Sequence, residues 1–242
     1  MGLQQAAEQG RRRNVAQGDP LTVSGSPGAH RTDWTVLIPV KSLARAKSRL
    51  ALPPAIRSEV ALAFALDTAT AAAEAGAVHL VTDDPRVAGA GRDLGLSVIP
   101  DGPLPGLNAA IRFAAARFHG PVAVLTGDLP ALRGTELAAA LHLAARRPAA
   151  FVADTAGTGT VLLTGGASLP RPRFGTASAA RHREGATELT GDWPGLRRDV
   201  DELADLDDAA RIGLGRHTTA ALAAVGTRSL AGRHEEAGPA SA

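Results

Sequence analysis

Short, continuously apolar runs alternate along the chain with longer stretches whose apolar residues recur at helical spacing. Trp34 to Val40 (WTVLIPV) has the pattern of a strand buried on both faces. A helix is predicted from Pro53-Pro54 through ALAFALDTATAAAEA to a stop at Gly76. Then come a strand over Ala77–Thr82, a short helix around Pro85–Leu94, a strand over Leu96–Pro100 and a helix over Leu107–Phe118. A strand over Pro121–Thr126, a helix over Thr135–Arg147 and a strand over Ala149–Ala153 complete the series. This alternation predicts an α/β fold with a mostly parallel sheet covered on both faces. Such sheets bind ligands where strands end, so chemistry is expected in the loops that follow them.

After Thr160 the pattern changes. VLLTGG reads as a further strand, 165–177 as a Gly/Pro-rich loop, and the rest as a short helix near Ser178 and a strand over Leu196–Val200. This α+β portion is expected to lie on the sheet edge.

Composition narrows the chemistry. The 242 residues are 45% hydrophobic and only 3% aromatic, so the core is Ala, Val and Leu packing in one domain. Residues 1–32 and 226–242 lack periodicity and are expected to be disordered, leaving 33–225 as the folded unit. The leader has no signal-peptide apolar stretch, and no run reaches the ~20 residues of a membrane span; a cytoplasmic location without membrane contact is expected. The absence of cysteine excludes disulfides, thiolate metal sites and thiol catalysis. A pI near 9.9 accompanies a net charge of only +2, because without Tyr or Cys little titrates above neutrality. With few aromatics to stack on bases, nucleic-acid binding is not expected.

Five segments carry candidate chemistry. The first reads Lys41-Ser-Leu-Ala-Arg-Ala-Lys47-Ser-Arg49, and only two of the 26 basic residues are lysines, both in this loop. An ammonium is a compact charge that approaches phosphate without the planar demands of a guanidinium. The loop lacks a Walker glycine pattern, so charge rather than backbone would hold the phosphates. The loop after the fourth strand, TGDLP, puts Asp128 at a buried strand end, where its charge requires a cation; Mg²⁺ beside phosphates suits one or two carboxylates. The alternative, a helix cap, is weakened because Gly134-Thr135 offers one. Asp154 follows the fifth strand and is a second metal ligand or a turn residue. The Gly157/Gly159 stretch leads into a strand rather than a helix, which excludes a dinucleotide fingerprint and leaves Thr160 facing an anionic substrate. Gly175 and Ser178 precede or open the short helix, an anion site or an ordinary cap. Asn108 caps its helix or contacts a base or ribose.

With IPVKSLARAKSRL, GLNAA, GDLP, DTAGTGT and FGTAS in this order, and RDVDELADLDDA near the end, the chain resembles the guanylyltransferases of deazaflavin coenzyme biosynthesis over about 34–215. The resemblance implies a GT-A-like, Rossmann-type nucleotidyltransferase that uses GTP and Mg²⁺ and releases pyrophosphate. The acceptor is phosphoenolpyruvate or 2-phospho-L-lactate, and a downstream deazaflavin transferase takes the labile product. Of the two acceptors, the Arg-rich, Lys-poor composition favours phosphoenolpyruvate by association with the high-GC members of that family, giving enolpyruvyl-diphospho-guanosine. Carried over, Lys41, Lys47 and Arg49 hold the triphosphate and Asn108 faces the nucleoside. Asp128 and Asp154 hold metal, with Lys41 and Asp128 catalytic, and Thr160, Gly175 and Ser178 bind the acceptor. A phosphomonoester is already ionised at pH 7, so no general base is required. Two other classes remain: a nucleotide-binding sensor without turnover, and a metal-dependent sugar transferase, for which a DxD in place of GDLP is expected.

Overall fold

The computed structural model describes residues 33–235, with backbone alone for 45 and 226–235. The expected leader, 1–32, and the last expected tail residues, 236–242, lie outside the described residues. The chain alternates β1 (Thr35–Pro39), α1 (Pro54–Ala72), β2 (Ala77–Val81), α2 (Pro85–Asp93), β3 (Ser97–Ile99), α3 (Leu107–Ala115), β4 (Val122–Leu125), α4 (Gly134–Ala144) and β5 (Ala149–Ala153). β6 (Thr160–Gly165), α5 (Ser178–Arg183), β7 (Thr187–Glu188), α6 (Pro194–Arg197), α7 (Leu203–Ile212) and α8 (Arg216–Glu235) follow. The last helix crosses the boundary expected at 225.

The strands form one sheet in the order β3-β2-β1-β4-β6-β5-β7. β1 pairs in parallel with β2 and β4, β2 with β3, and β5 with β7; β6 runs antiparallel between β4 and β5. The sheet is thus mostly parallel, as expected. Its burial follows the two-residue side-chain period. Val36 and Ile38 face one core cluster with α1 and α4, while Leu37 faces the opposite cluster with Ile111 of α3 and Ala179 of α5. Every residue of β4 is buried, which is what a central strand covered on both faces requires.

A third cluster joins Phe64 of α1 to Val200, Leu206 and Ala209. The adjoining anchor is Asp67, only 6% exposed, whose two oxygens accept the amides of His217 and Thr218 at the start of α8 (2.9 and 2.8 Å). A carboxylate there meets otherwise unpaired helix donors and the favourable end of the dipole.

Two local expectations are corrected. Leu196–Val200 is not a strand: Pro194 opens α6, and Glu136 accepts the amides of Gly195 and Leu196 (3.2 and 2.8 Å) from the side. Helix α4 begins at Gly134 after Arg133, with no side-chain cap from Thr135 or Asp128. Glycine is required there because a Cβ would lie 2.8 Å from the Ala71 carbonyl and still closer to Glu74.

Candidate active site

Pro39 at the end of β1 and Thr126-Gly127-Asp128 after β4 deliver their loops to one hollow of about 270 Å³, lined also by Val40, Lys41, Lys47, Leu107, Phe174 and Asp201. Parallel pairing of β1 with β4 places these ends side by side. Lys47 lies at the centre of its polar side. Its ammonium is 2.5 Å from Asp128 Oδ2 and 2.8 Å from Asp201 Oδ1, and its side chain is only 11% exposed. The residue adopts φ +53°, a left-handed conformation unusual for a side chain of this length. Burial pulls its pKa down, but Asp128 and Asp201 outweigh that and raise it, so the ammonium is charged. Arg49, largely exposed, reaches Asp201 Oδ2 at 3.5 Å, and Lys41 lines the same hollow.

Asp199, within the field of the same groups, is pushed up to about 7, by burial first and then by Asp128, Asp154 and Asp201, with Lys47 opposing. For Asp201 burial acts upward, but Lys47, Arg49 and Lys41 hold the carboxyl below the usual range. Asp128 Oδ1 and Thr126 Oγ1 are buried without a hydrogen-bond partner. Among the described residues no three His, Cys, Asp or Glu converge as a metal cage. Asp128, with its unpaired oxygen, and Asp201 are the carboxylates here that could hold a magnesium ion.

Asp154 is only 9% exposed, and its oxygens accept the amides of Thr158 and Gly159 (2.9 and 2.7 Å). These bonds hold a turn, and the carboxylate that meets Asp128 across Lys47 is that of Asp201. Sequence patterning does not single out Asp199 and Asp201, although two aspartates flanking Val200 just before α7 are visible in the RDVDELADL stretch.

The expected acceptor residues form a neighbouring cluster. Thr160 opens β6, paired with Ala153 of β5, and its Oγ1 lies 2.8 Å from His182 Nδ1. Ser178, 2% exposed, starts α5 four residues before His182, and the amide of Ala179 donates to the Thr158 carbonyl (3.0 Å). Gly175 (φ +123°) and Ala177 (φ +53°) turn the chain into that helix. Asn108 does not cap α3, whose N-cap is Gly106. Its amide donates to the Phe174 carbonyl (3.0 Å) and accepts the Phe174 N–H (2.8 Å), tying α3 to the loop before Gly175. Phe174 joins the two clusters, since it also lines the hollow with Lys47.

On the other flank, a hollow of about 210 Å³ shares Pro39, Val40, Lys41 and Leu107 with the first and adds Asp101 and Gly106. Burial, and then Asp83, raise the Asp101 carboxyl. Two hollows and the Thr160–His182 cluster therefore follow one edge of the sheet, with Lys41 lining both hollows.

Residues 34–213 match the family described as guanylyl transferase CofC like. The chain is 51% identical over 195 residues, 76% of this chain and 91% of the relative, to the phosphoenolpyruvate guanylyltransferase of Salinispora arenicola. It is 48% identical over 214 residues, 84% of this chain and 98% of the relative, to the enzyme of that name from a Mycobacterium species. In fold it is similar to a putative nucleotide-diphospho-sugar transferase from Desulfovibrio desulfuricans (TM-score 0.54, 17% identity, 72% of this chain and 84% of that one). A nucleotidyl transferase from Methanothermobacter is also similar (TM-score 0.51, 15% identity, 74% and 97%). The sheet, its strand-end lysines and carboxylates, and these matches lead to one conclusion: the chain is an enzyme that belongs to the guanylyl transferase CofC-like family.

Proposed function

We propose that the enzyme transfers GMP from GTP to phosphoenolpyruvate, releasing pyrophosphate and forming enolpyruvyl-diphospho-guanosine on a GT-A-like scaffold, for a deazaflavin transferase to consume. The observation that carries this reading is Lys47 held between Asp128 and Asp201 in a hollow flanked by the Asp101 compartment and the Thr160–His182 cluster. Nucleoside, triphosphate and acceptor follow that edge in order. The names of the relatives support the acceptor.

An acceptor phosphate oxygen attacks the α-phosphorus of GTP; the new O–P bond forms as the bond to the β-phosphate breaks. At pH 7 the phosphomonoester already carries nearly two negative charges, so no side chain has to remove a proton. The work of the protein is positioning and charge neutralisation. Lys41, between the Asp101 compartment and the Lys47 hollow, binds the triphosphate, with Lys47 deeper and Arg49 at the exposed rim. Asp128 and Asp201 would hold magnesium, which supplies Lewis-acid neutralisation of phosphate charge when bound. Thr160, Gly175 and Ser178 orient the acceptor. Asp101 accepts from the N1–H and N2–H₂ donors of guanine, while Asn108 serves the nucleoside side indirectly, through the loop it ties to α3.

The test is pyrophosphate release from GTP and Mg²⁺ with each acceptor separately, with the downstream transferase supplied to trap a labile product. Turnover with phosphoenolpyruvate is expected. Turnover with phospholactate alone would reassign the acceptor, and pyrophosphate from neither would return the protein to the nucleotide-sensor class.

A further inference from the structure

Two hydrogen bonds determine which nitrogen of His182 carries the proton. The Arg173 amide donates to Nε2 at 2.9 Å, and a backbone amide can only donate, so Nε2 is bare. A neutral imidazole then bears its hydrogen on Nδ1, which lies 2.8 Å from Thr160 Oγ1. The ring is therefore the donor in that contact and the Thr160 oxygen the acceptor. The hydroxyl hydrogen of Thr160 is left to point elsewhere, as a donor. Burial, followed by Arg181 and Arg173, lowers the His182 pKa to about 4, in keeping with a neutral ring. The ring is 4% exposed and held between Phe151 (centroids 6.2 Å apart) and Phe174 (5.1 Å, edge-on).

The same ring steadies the loop before Gly175. His182 takes the amide of Arg173, and Asn108 takes both backbone groups of Phe174, so two consecutive residues are fixed from opposite sides. Ser178 lies four positions before His182, on the same helical face. One buried, uncharged side chain thus couples Thr160 on β6, the loop through Gly175 and the helix that starts at Ser178.

We infer that His182 is a positioning residue for the acceptor: by donating from Nδ1 to Thr160 it commits the threonine hydroxyl to donate to an anionic oxygen of the acceptor, and through the Arg173 amide it fixes the adjoining loop. This rests on the acceptor reading given under Proposed function. A hydroxyl free to rotate serves a donor or an acceptor equally; one whose oxygen already accepts is preset for a carboxylate or phosphate oxygen. The preset costs no reorganisation when the acceptor arrives.

The test begins with the full-length wild-type chain. Ring ¹⁵N NMR at pH 7 is expected to show His182 with hydrogen on Nδ1 and a bare Nε2; the opposite tautomer or an imidazolium would overturn the inference without any variant. Kinetics follow, with the acceptor KM and GTP Kd measured separately. His182→Leu is expected to raise the acceptor KM about ten- to one-hundred-fold, the worth of a hydrogen bond to a charged group. GTP Kd should stay within about twofold, a separation that general loosening would not give. His182→Asn, whose amide nitrogen falls near the Nδ1 position, should recover much of the loss. Thr160→Val should reproduce most of it, and His182→Leu added to that variant should raise KM by clearly less than it does alone, the remainder being the share carried by the loop. Unchanged acceptor KM in His182→Leu, an equal rise in GTP Kd, or additive effects would each sink the assignment. Wild-type turnover is the control on the acceptor reading: its absence defeats that reading, whereas turnover with any of those three results defeats only the role given to His182.

Discussion

Lys47 and Asp201 stand 154 positions apart in sequence and 2.8 Å apart in the fold. The contact brings the segment after α6 back onto the first loop, and Asp128 closes it from the central strand at 2.5 Å. An ammonium occupies the place between the two carboxylates proposed to hold magnesium. Replacing Lys47 with the similarly long, uncharged Met leaves the aspartates facing each other. We expect Lys47→Met to lower the melting temperature in metal-free buffer, and added Mg²⁺ to raise it more in the variant than in wild type. Differential scanning fluorimetry with and without chelator checks this; equal Mg²⁺ responses would count against the cation reading.

Chemistry at the same residues gives a further expectation. Asp128→Asn should reduce kcat by several powers of ten, because charge neutralisation matters most when the phosphates separate, while GTP Kd should change much less. Lys41→Arg and Lys47→Arg keep the charge but widen the head group, and each should lower kcat/KM by about tenfold or more. Near-wild-type kcat in the Asp128 variant, or normal kinetics in both arginine variants, would contradict the roles given to these residues.

Base choice can be tested at Asp101, which lines the hollow beyond Lys41. A carboxylate matches the two adjacent donors of guanine; an amide matches xanthine, which offers one donor and one acceptor. Asp101→Asn is therefore expected to weaken GTP binding about tenfold or more and strengthen xanthosine triphosphate binding, the worth of a mispaired hydrogen bond. Isothermal titration with both nucleotides decides it.

Acid stability should follow His182. Its folded pKa of about 4 lies below the ordinary 6.5, so the unfolded chain takes up a proton first as pH falls. Stability is full above about pH 6.5 and is lost progressively down to about pH 4, by about 3 kcal/mol from this group. His79, whose pKa burial also lowers, adds in the same direction. Urea titrations across this range should show a shallower fall in His182→Phe than in wild type.

The alternation of strands and helices from β1 to β5 is legible in the sequence because each strand is an apolar run and each helix is long enough to repeat its period. The short elements carry no such signal. Leu196 and Val200 have the side chains of strand residues, yet Pro194 and the distant Glu136 make the first of them helical. Lys41, Lys47 and Asp128 can be picked out because lysine is rare and a strand-end carboxylate is conspicuous. Asp201 and His182 give no local indication. Asp201 meets its partner across most of the chain, and His182 resembles any lone histidine until the Arg173 amide determines its tautomer.

β6 alone among the described strands runs against the sheet, and this makes the enzyme modular. Its reversed direction brings the beginning of a strand, Thr160, to the edge where its neighbours β4 and β5 end. Residues assigned to the acceptor consequently come from one continuous stretch, 154–185, on one side of β4, and the hollows assigned to the nucleotide are built mainly from β1 to α3 on the other. Asp128 stands at the seam between them. A graft of 154–185 between relatives with different acceptors, carried together with Asn108, which holds Phe174 from α3, therefore exchanges the residues assigned to the acceptor as one stretch.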